Sequence, residues 1–111
     1  MSTPRPKDHL QGTLELLILK TLERAPNHGF GITLHVQTVS DGVLRVEEGS
    51  LYPALHRLER DKLLKGEWRL TENGRRARFY ALTTAGRERL AQAETNWTAV
   101  SKGVHKVLRF A

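Results

Sequence analysis

Hydrophobic positions recur along this chain with two different periods. From Leu10 to about Arg24, the residues Leu14, Leu17, Ile18, Thr21 and Leu22 share one side of a helix, and Leu10, Leu16 and Leu19 widen the stripe. A helix apolar over more than half its circumference needs two coverings, its own core and, as one candidate, a second subunit. Ala25-Pro26-Asn27-His28-Gly29 breaks it. Phe30 to Val39 reads as a second helix with Ile32, Val36 and Val39 inward, weakened at Gly31 by about 1 kcal/mol relative to Ala. Ser40-Asp41-Gly42 reads as a turn, and Val43 to Val46 as a short strand able to join a sheet. The third helix is expected to begin near Gly49 or Ser50, with the Ser50 hydroxyl as cap and Pro53 tolerated in the first turn. Leu51, Leu55 and Leu58 then face the core, which leaves Tyr52, Pro53, His56, Arg57 and Arg60 outward.

The period then drops to two. Leu64, Trp68 and Leu70 alternate with Lys65 and Arg69, the pattern of a half-buried strand, and Tyr80 and Leu82 are expected on the same core face of a partner strand. Asn73-Gly74 marks a tight turn between them, although the loop can exceed two residues. Thr83 or Thr84 caps a last helix that runs to about Leu108. Its residues Leu90, Ala93, Trp97, Val100, Val104 and Val107 follow the 3-4 spacing of an a/d seam. The seam fits a homodimer interface; the plainer alternative is packing on the chain's own first helix.

These elements define a fold that is mainly α with a small β-hairpin. A winged helix-turn-helix spans residues 10–83, a flexible basic arm precedes it at 1–9, and a C-terminal dimerisation helix follows at 84–111. A chain of 111 residues makes one domain with a modest core, which pairing would reinforce.

Charge sharpens the functional reading. The net charge is +6, and +5 of it lies between Arg57 and Arg89. Such a segment fits nucleic acid, a membrane surface, an acidic protein or merely a solvated face. The helix-then-hairpin layout favours double-stranded DNA. His56 and Arg57 are the candidates for base edges, since an exposed Arg can bridge guanine O6 and N7. Ser50 and Tyr52 suit phosphate, with Pro53 and Arg60 on the same face. Arg75 and Arg76 at the wing tip, with Arg78 behind, suit an adjacent phosphate or the minor groove. Arg5 and Lys7 on the arm add weaker contacts. Bland alternatives stand beside these: Tyr52 as half-buried packing, Arg57 paired with Asp61, and the wing arginines simply solvated. Trp97, mid-seam, is either dimer packing or one wall of a slot for a small planar aromatic effector.

Other classes find little support. There is no cysteine, hence no disulfide or thiol chemistry. The five histidines show no paired spacing with carboxylates, and neither a phosphate-binding glycine loop nor a nucleophile elbow is present, so no metal, cofactor or enzymatic activity is expected. Residues 1–7 hold no apolar core, so no signal peptide is expected. The longest apolar stretch, Leu14 to Leu22, is too short to span a bilayer. A cytoplasmic protein is expected. A winged-helix adaptor that binds protein instead of DNA is the remaining alternative.

Four segments in order carry a resemblance. They are Leu10-Gln11-Gly12-Thr13-Leu14-Glu15-Leu16-Leu17-Ile18-Leu19, His28-Gly29-Phe30-Gly31-Ile32, Glu48 to Glu59, and Glu72-Asn73-Gly74-Arg75-Arg76 with Tyr80-Ala81-Leu82-Thr83-Thr84-Ala85-Gly86. Together they resemble the PadR family of bacterial transcriptional regulators, in its short form with a single C-terminal helix. The resemblance implies a winged helix, a homodimer built by the last helix, and a repressor that leaves a near-palindromic operator on meeting a small molecule. It also implies that Tyr52 matches a tyrosine contacting the DNA backbone. The chain departs from the family at Phe30, where Tyr is usual, and at Gly31 and Leu34, where polar or charged residues are usual.

Overall fold

The computed structural model describes residues 6–110, with side chains from residue 12 onward. Helix α1 (Pro6–Arg24) is followed by strand β1 (Asn27–His28), helices α2 (Gly29–Val39) and α3 (Glu48–Arg60), strands β2 (Leu64–Leu70) and β3 (Arg76–Leu82), and helix α4 (Thr84–Phe110). The expected arm is therefore helical over residues 6–9. Arg5 and the Lys7 and Leu10 side chains lie outside the described residues.

The periodic positions do form the core. Leu14, Ile18, Leu19 and Leu22 of α1 pack with Ile32 of α2, Leu51, Ala54, Leu55 and Leu58 of α3, Leu63, Leu64 and Tyr80 of the hairpin, and Leu90 of α4. Leu82 packs partly buried against the same cluster. Thr21, buried on α1, donates its hydroxyl hydrogen to the Leu17 carbonyl at 2.8 Å, so its polar group is satisfied within the helix. Val39, expected inward, is exposed at the last turn of α2. The chain leaves the core there through Asp41 and Gly42, both at positive φ.

The sheet is antiparallel in the order β1-β3-β2. Its third strand is Asn27–His28, with Asn27 opposite Tyr80 and His28 opposite Phe79. Residues 43–46, expected to supply that strand, are irregular. β1 lies immediately before α2, so the sheet fixes where α2 starts. His28 is the N-cap of α2: its Nδ1 accepts the Gly31 N–H at 3.2 Å.

α3 starts earlier than Ser50 would place it. Glu47 is the N-cap, and its carbonyl accepts the N–H of Ser50 and of Leu51 at 3.0 and 2.9 Å, while its side chain makes no capping hydrogen bond. Pro53 is thus in the second turn and gives no N–H to the exposed Gly49 carbonyl. The far end closes tightly: Lys62 takes a φ of 62° and the Leu63 N–H reaches back to the Leu58 carbonyl at 2.9 Å.

The hairpin turns through Glu72-Asn73-Gly74. The Gly74 N–H bonds the Thr71 carbonyl, the Thr71 N–H bonds the Arg75 carbonyl, and Gly74 rather than Asn73 takes the left-handed conformation. Leu64 is buried, but Trp68 and Leu70 are 56% and 68% exposed, against the expected half-buried strand. The alternation is real, with Trp68 opposite Arg78 and Leu70 opposite Arg76. The strands simply run on past the helices that would cover them. Thr83 caps α4 as expected, its Oγ1 accepting the Gly86 N–H at 3.0 Å.

Candidate nucleic-acid interface

Burying Leu51, Ala54, Leu55 and Leu58 turns the opposite face of α3 outward. Tyr52, Pro53, His56 and Arg60 are exposed on it, and Ser50 is exposed near its start. Arg57 lies at the border of that face, half-buried toward α1, with Nη2 4.0 Å from Glu15 Oε1. Asp61 pairs with Arg60, Nε to Oδ1 3.3 Å, rather than with Arg57.

On the other border of α3 stands Glu59, which meets Arg78 of β3. Arg78 Nε donates to Glu59 Oε1 at 3.3 Å and Arg78 Nη2 donates to Oε2. This hydrogen-bonded guanidinium holds the Glu59 carboxyl below the usual carboxylate range, and the carboxylate raises Arg78 in turn. Gly66 of β2 makes room for the crossing: a Cβ there would sit 2.6 Å from Arg78 Nε. Arg78, expected among the DNA contacts, thus has its charge engaged inside the fold. Burial, the largest influence on Tyr80 beside this pair, pushes its phenol up.

Arg75 and Arg76 are exposed at the wing tip. Arg76 lies 5.2 Å over the Trp68 ring and Arg78 5.7 Å, so the indole has cations stacked on it. Between the wing, α3 and the start of α2 runs a groove of about 1130 Å³. Tyr52 and His56 line it from α3, Arg75 and Arg76 from the wing, and Phe30 and Leu34 from α2. Sequence reasoning named the arginines and the α3 residues. It missed Glu59, Phe30, Leu34 and the placement of Trp68 and Leu70 here. A period-two count does put Trp68, Leu70, Arg76 and Arg78 on one strand face, and that was the available signal.

The expected seam on α4 divides. Leu90 is 1% exposed in the chain's own core, which removes it from any interface with a second copy. Ala93 is half-buried, and Lys20 of α1 bridges to Glu94 at 3.0 Å. Beyond that point Trp97, Val100, Val104 and Val107 are each half or more exposed. Among the described residues no group of three His, Cys, Asp or Glu side chains is arranged to hold a metal, and no helix is long and apolar enough to cross a membrane.

Comparison with known proteins agrees with this architecture. The sequence model described as the transcriptional regulator PadR-like family matches residues 18–92. The transcriptional regulator Rv3488 of Mycobacterium tuberculosis is 46% identical over 65 residues, which is 59% of this chain and 57% of that protein. A PadR-like transcription factor structure from Bacteroides fragilis superposes with a TM-score of 0.74 at 31% identity, covering 91% of this chain and 95% of the other. A transcriptional regulator structure from Clostridium thermocellum gives a TM-score of 0.80 at 25% identity, covering 89% and 96%. These relatives are regulators, not enzymes, and their shared winged helix is the one described above. With a family match that runs from the end of α1 through α2, α3 and the wing to the start of α4, this chain belongs to the PadR-like family of transcriptional regulators.

Proposed function

We propose that the protein is a cytoplasmic repressor that binds a palindromic operator as a homodimer. The observation that carries this reading is the shared groove: the outward residues of α3, Tyr52 and His56, and the wing-tip arginines, Arg75 and Arg76, border one concavity. α3 enters the major groove with His56 central and Arg60 and Pro53 beside it. Tyr52 and Ser50 meet the backbone. Arg57, at the α1 border beside Glu15, serves a flanking phosphate or base edge. Arg75 and Arg76 hold the next phosphates or the minor groove, while Arg78 positions the wing through Glu59.

The stripe Trp97, Val100, Val104 and Val107, with Ala93 at its edge, pairs with its copy and sets two α3 helices about one DNA turn, roughly 34 Å, apart. Facing Trp97 rings form a slot for a planar aromatic effector whose binding releases the DNA.

Selection of bound fragments from the source genome, followed by duplex titration at two salt concentrations, tests the reading. A recovered palindrome with steeply salt-dependent affinity is expected. Weak binding to every duplex would favour a protein-binding adaptor. A reporter behind the recovered site distinguishes repression from activation. Planar aromatics that relieve binding by the native chain, and fail with Trp97→Ala, identify the slot.

A further inference from the structure

The groove beside α3 is more apolar than a track for phosphates requires. Phe30 and Leu34, one turn apart on α2, face Trp68 and Leu70 on the inner side of the wing, and each of the four is more than half exposed. Large apolar side chains gathered in water around one concavity mark a contact surface. We propose that this groove seats the deoxyribose edge of one DNA strand, with Trp68 and Leu70 on one side and Phe30 and Leu34 on the other, while Arg75 and Arg76 hold that strand's phosphates. The assignment rests on the DNA-binding reading above and adds to it a set of uncharged contact residues.

Charge selects an anionic occupant. Among the described residues Glu72 is the one carboxylate lining the groove, against Arg75 and Arg76 at its rim, and the charge of Arg78 is already met by Glu59. Shape selects an extended occupant. The walls stay more than half exposed, whereas a small-molecule site encloses most of its ligand. Position selects DNA: Tyr52 and His56 line the same groove, so a duplex read by α3 lays its backbone there. A nucleotide strand alternates phosphates with sugar C–H surface along its backbone, which matches a cationic rim above apolar walls. The Trp68 ring is also ordered beforehand by the guanidiniums of Arg76 and Arg78, which lowers the entropy lost on contact.

The two kinds of contact separate in salt. Neutralising phosphates releases counterions and sets the slope of log K against log salt; burying apolar surface releases none. The test is a titration of the recovered operator duplex, over a range of salt, with the full chain and three variants. Trp68→Ala/Leu70→Ala is expected to bind about tenfold or more weakly at every salt concentration with the native slope. Trp68→Phe, which keeps an aromatic wall, is expected to retain most of the affinity. Arg75→Ala/Arg76→Ala is expected to lower the slope by about 1–2. Trp68 and Leu70 are exposed, so the apolar variant keeps its fold, which a thermal melt checks. Native affinity in the apolar variant, or a loss of slope like that of the arginine variant, overturns the proposal while leaving DNA binding standing. A native chain that binds no duplex overturns both.

Discussion

Arg78 of β3 and Glu59 of α3 form a two-point hydrogen-bonded pair that ties the wing to the helix beside it. Nineteen residues separate them in sequence, so the pair fixes a tertiary angle rather than a local turn. Both side chains are about one-third exposed, which places the pair between a screened surface contact and a buried one. Its first role is orientation: it fixes the angle at which the wing stands beside α3.

The clamp has a signed pH dependence. Because the Glu59 carboxyl is lowered by Arg78, its contribution to stability is complete above the ordinary carboxylate range and is lost as pH falls through the depressed value. Glu59→Gln is therefore expected to melt a few degrees below the native chain at neutral pH, with the gap closing below about pH 4. Gly66→Ala, which crowds Arg78 off its partner, is expected to behave like Glu59→Gln. Thermal melts of the three chains at neutral and acid pH check this; a gap that is constant with pH would mean that the pair contributes no ionic stabilisation.

His28 holds the start of α2 by a different device. Its Nδ1 accepts the Gly31 N–H, and its ring stands edge-on to Phe79 with centroids 4.9 Å apart. A free N–H at a helix start is worth about 1 kcal/mol when capped. His28→Ala is expected to lose about that much, while His28→Asn, which can supply the same acceptor, is expected to keep most of it. Urea denaturation of both variants decides whether the cap or the ring contact matters more, since Asn restores only the cap.

Lys62 offers a stabilising change. It occupies the left-handed region at the end of α3, where a residue with a Cβ is disfavoured by about 1 kcal/mol or more. The bonds around it, from the Leu63 N–H to the Leu58 carbonyl and from the Thr83 hydroxyl to the Lys62 carbonyl, do not use the lysine side chain and survive its loss. Lys62→Gly is expected to raise stability by about 0.5–1 kcal/mol. A fall in the denaturation midpoint would show that the lysine side chain makes a compensating contact.

The legible parts of this fold share a physical cause. Leu51, Leu55 and Leu58, and likewise Leu64 with Tyr80, could be placed from spacing because periodicity reports which residues share a face. Thr83 was legible as a cap because a hydroxyl before a helix has a local job. Trp68 and Leu70 were misplaced because periodicity does not report where the covering layer ends. β1 was missed because two residues carry no pattern, and its pairing with β3 joins segments far apart in the sequence. Ser50 looked like the cap of α3, yet the Glu47 carbonyl begins that helix a turn sooner. In the candidate interface, the outward α3 residues and the wing tip followed from local pattern. The Glu59–Arg78 clamp and the apolar groove join distant segments and follow only from packing.

The last helix contains two kinds of residue on one stripe, and they predict opposite phenotypes. Leu90 is sealed in the core, so Leu90→Ala is expected to cost about 2–5 kcal/mol of stability in the folding unit itself. Val104, farther along the same stripe, is half exposed and contributes nothing to that core. α4 is about 40 Å long at 1.5 Å per residue, and its distal half has no neighbour within the described chain deep enough to cover Trp97, Val100, Val104 and Val107. In a paired seam a carboxylate at Val104 would be desolvated beside its own copy, at a cost of several kcal/mol across the two-fold axis. Val104→Asp is therefore expected to sediment as a monomer at micromolar concentration and to lose tight operator binding, with its core intact. Leu90→Ala is expected to keep the dimer mass at low temperature while melting early. A dimer mass for Val104→Asp would remove this stripe as the pairing surface and, with it, the spacing of the two reading helices.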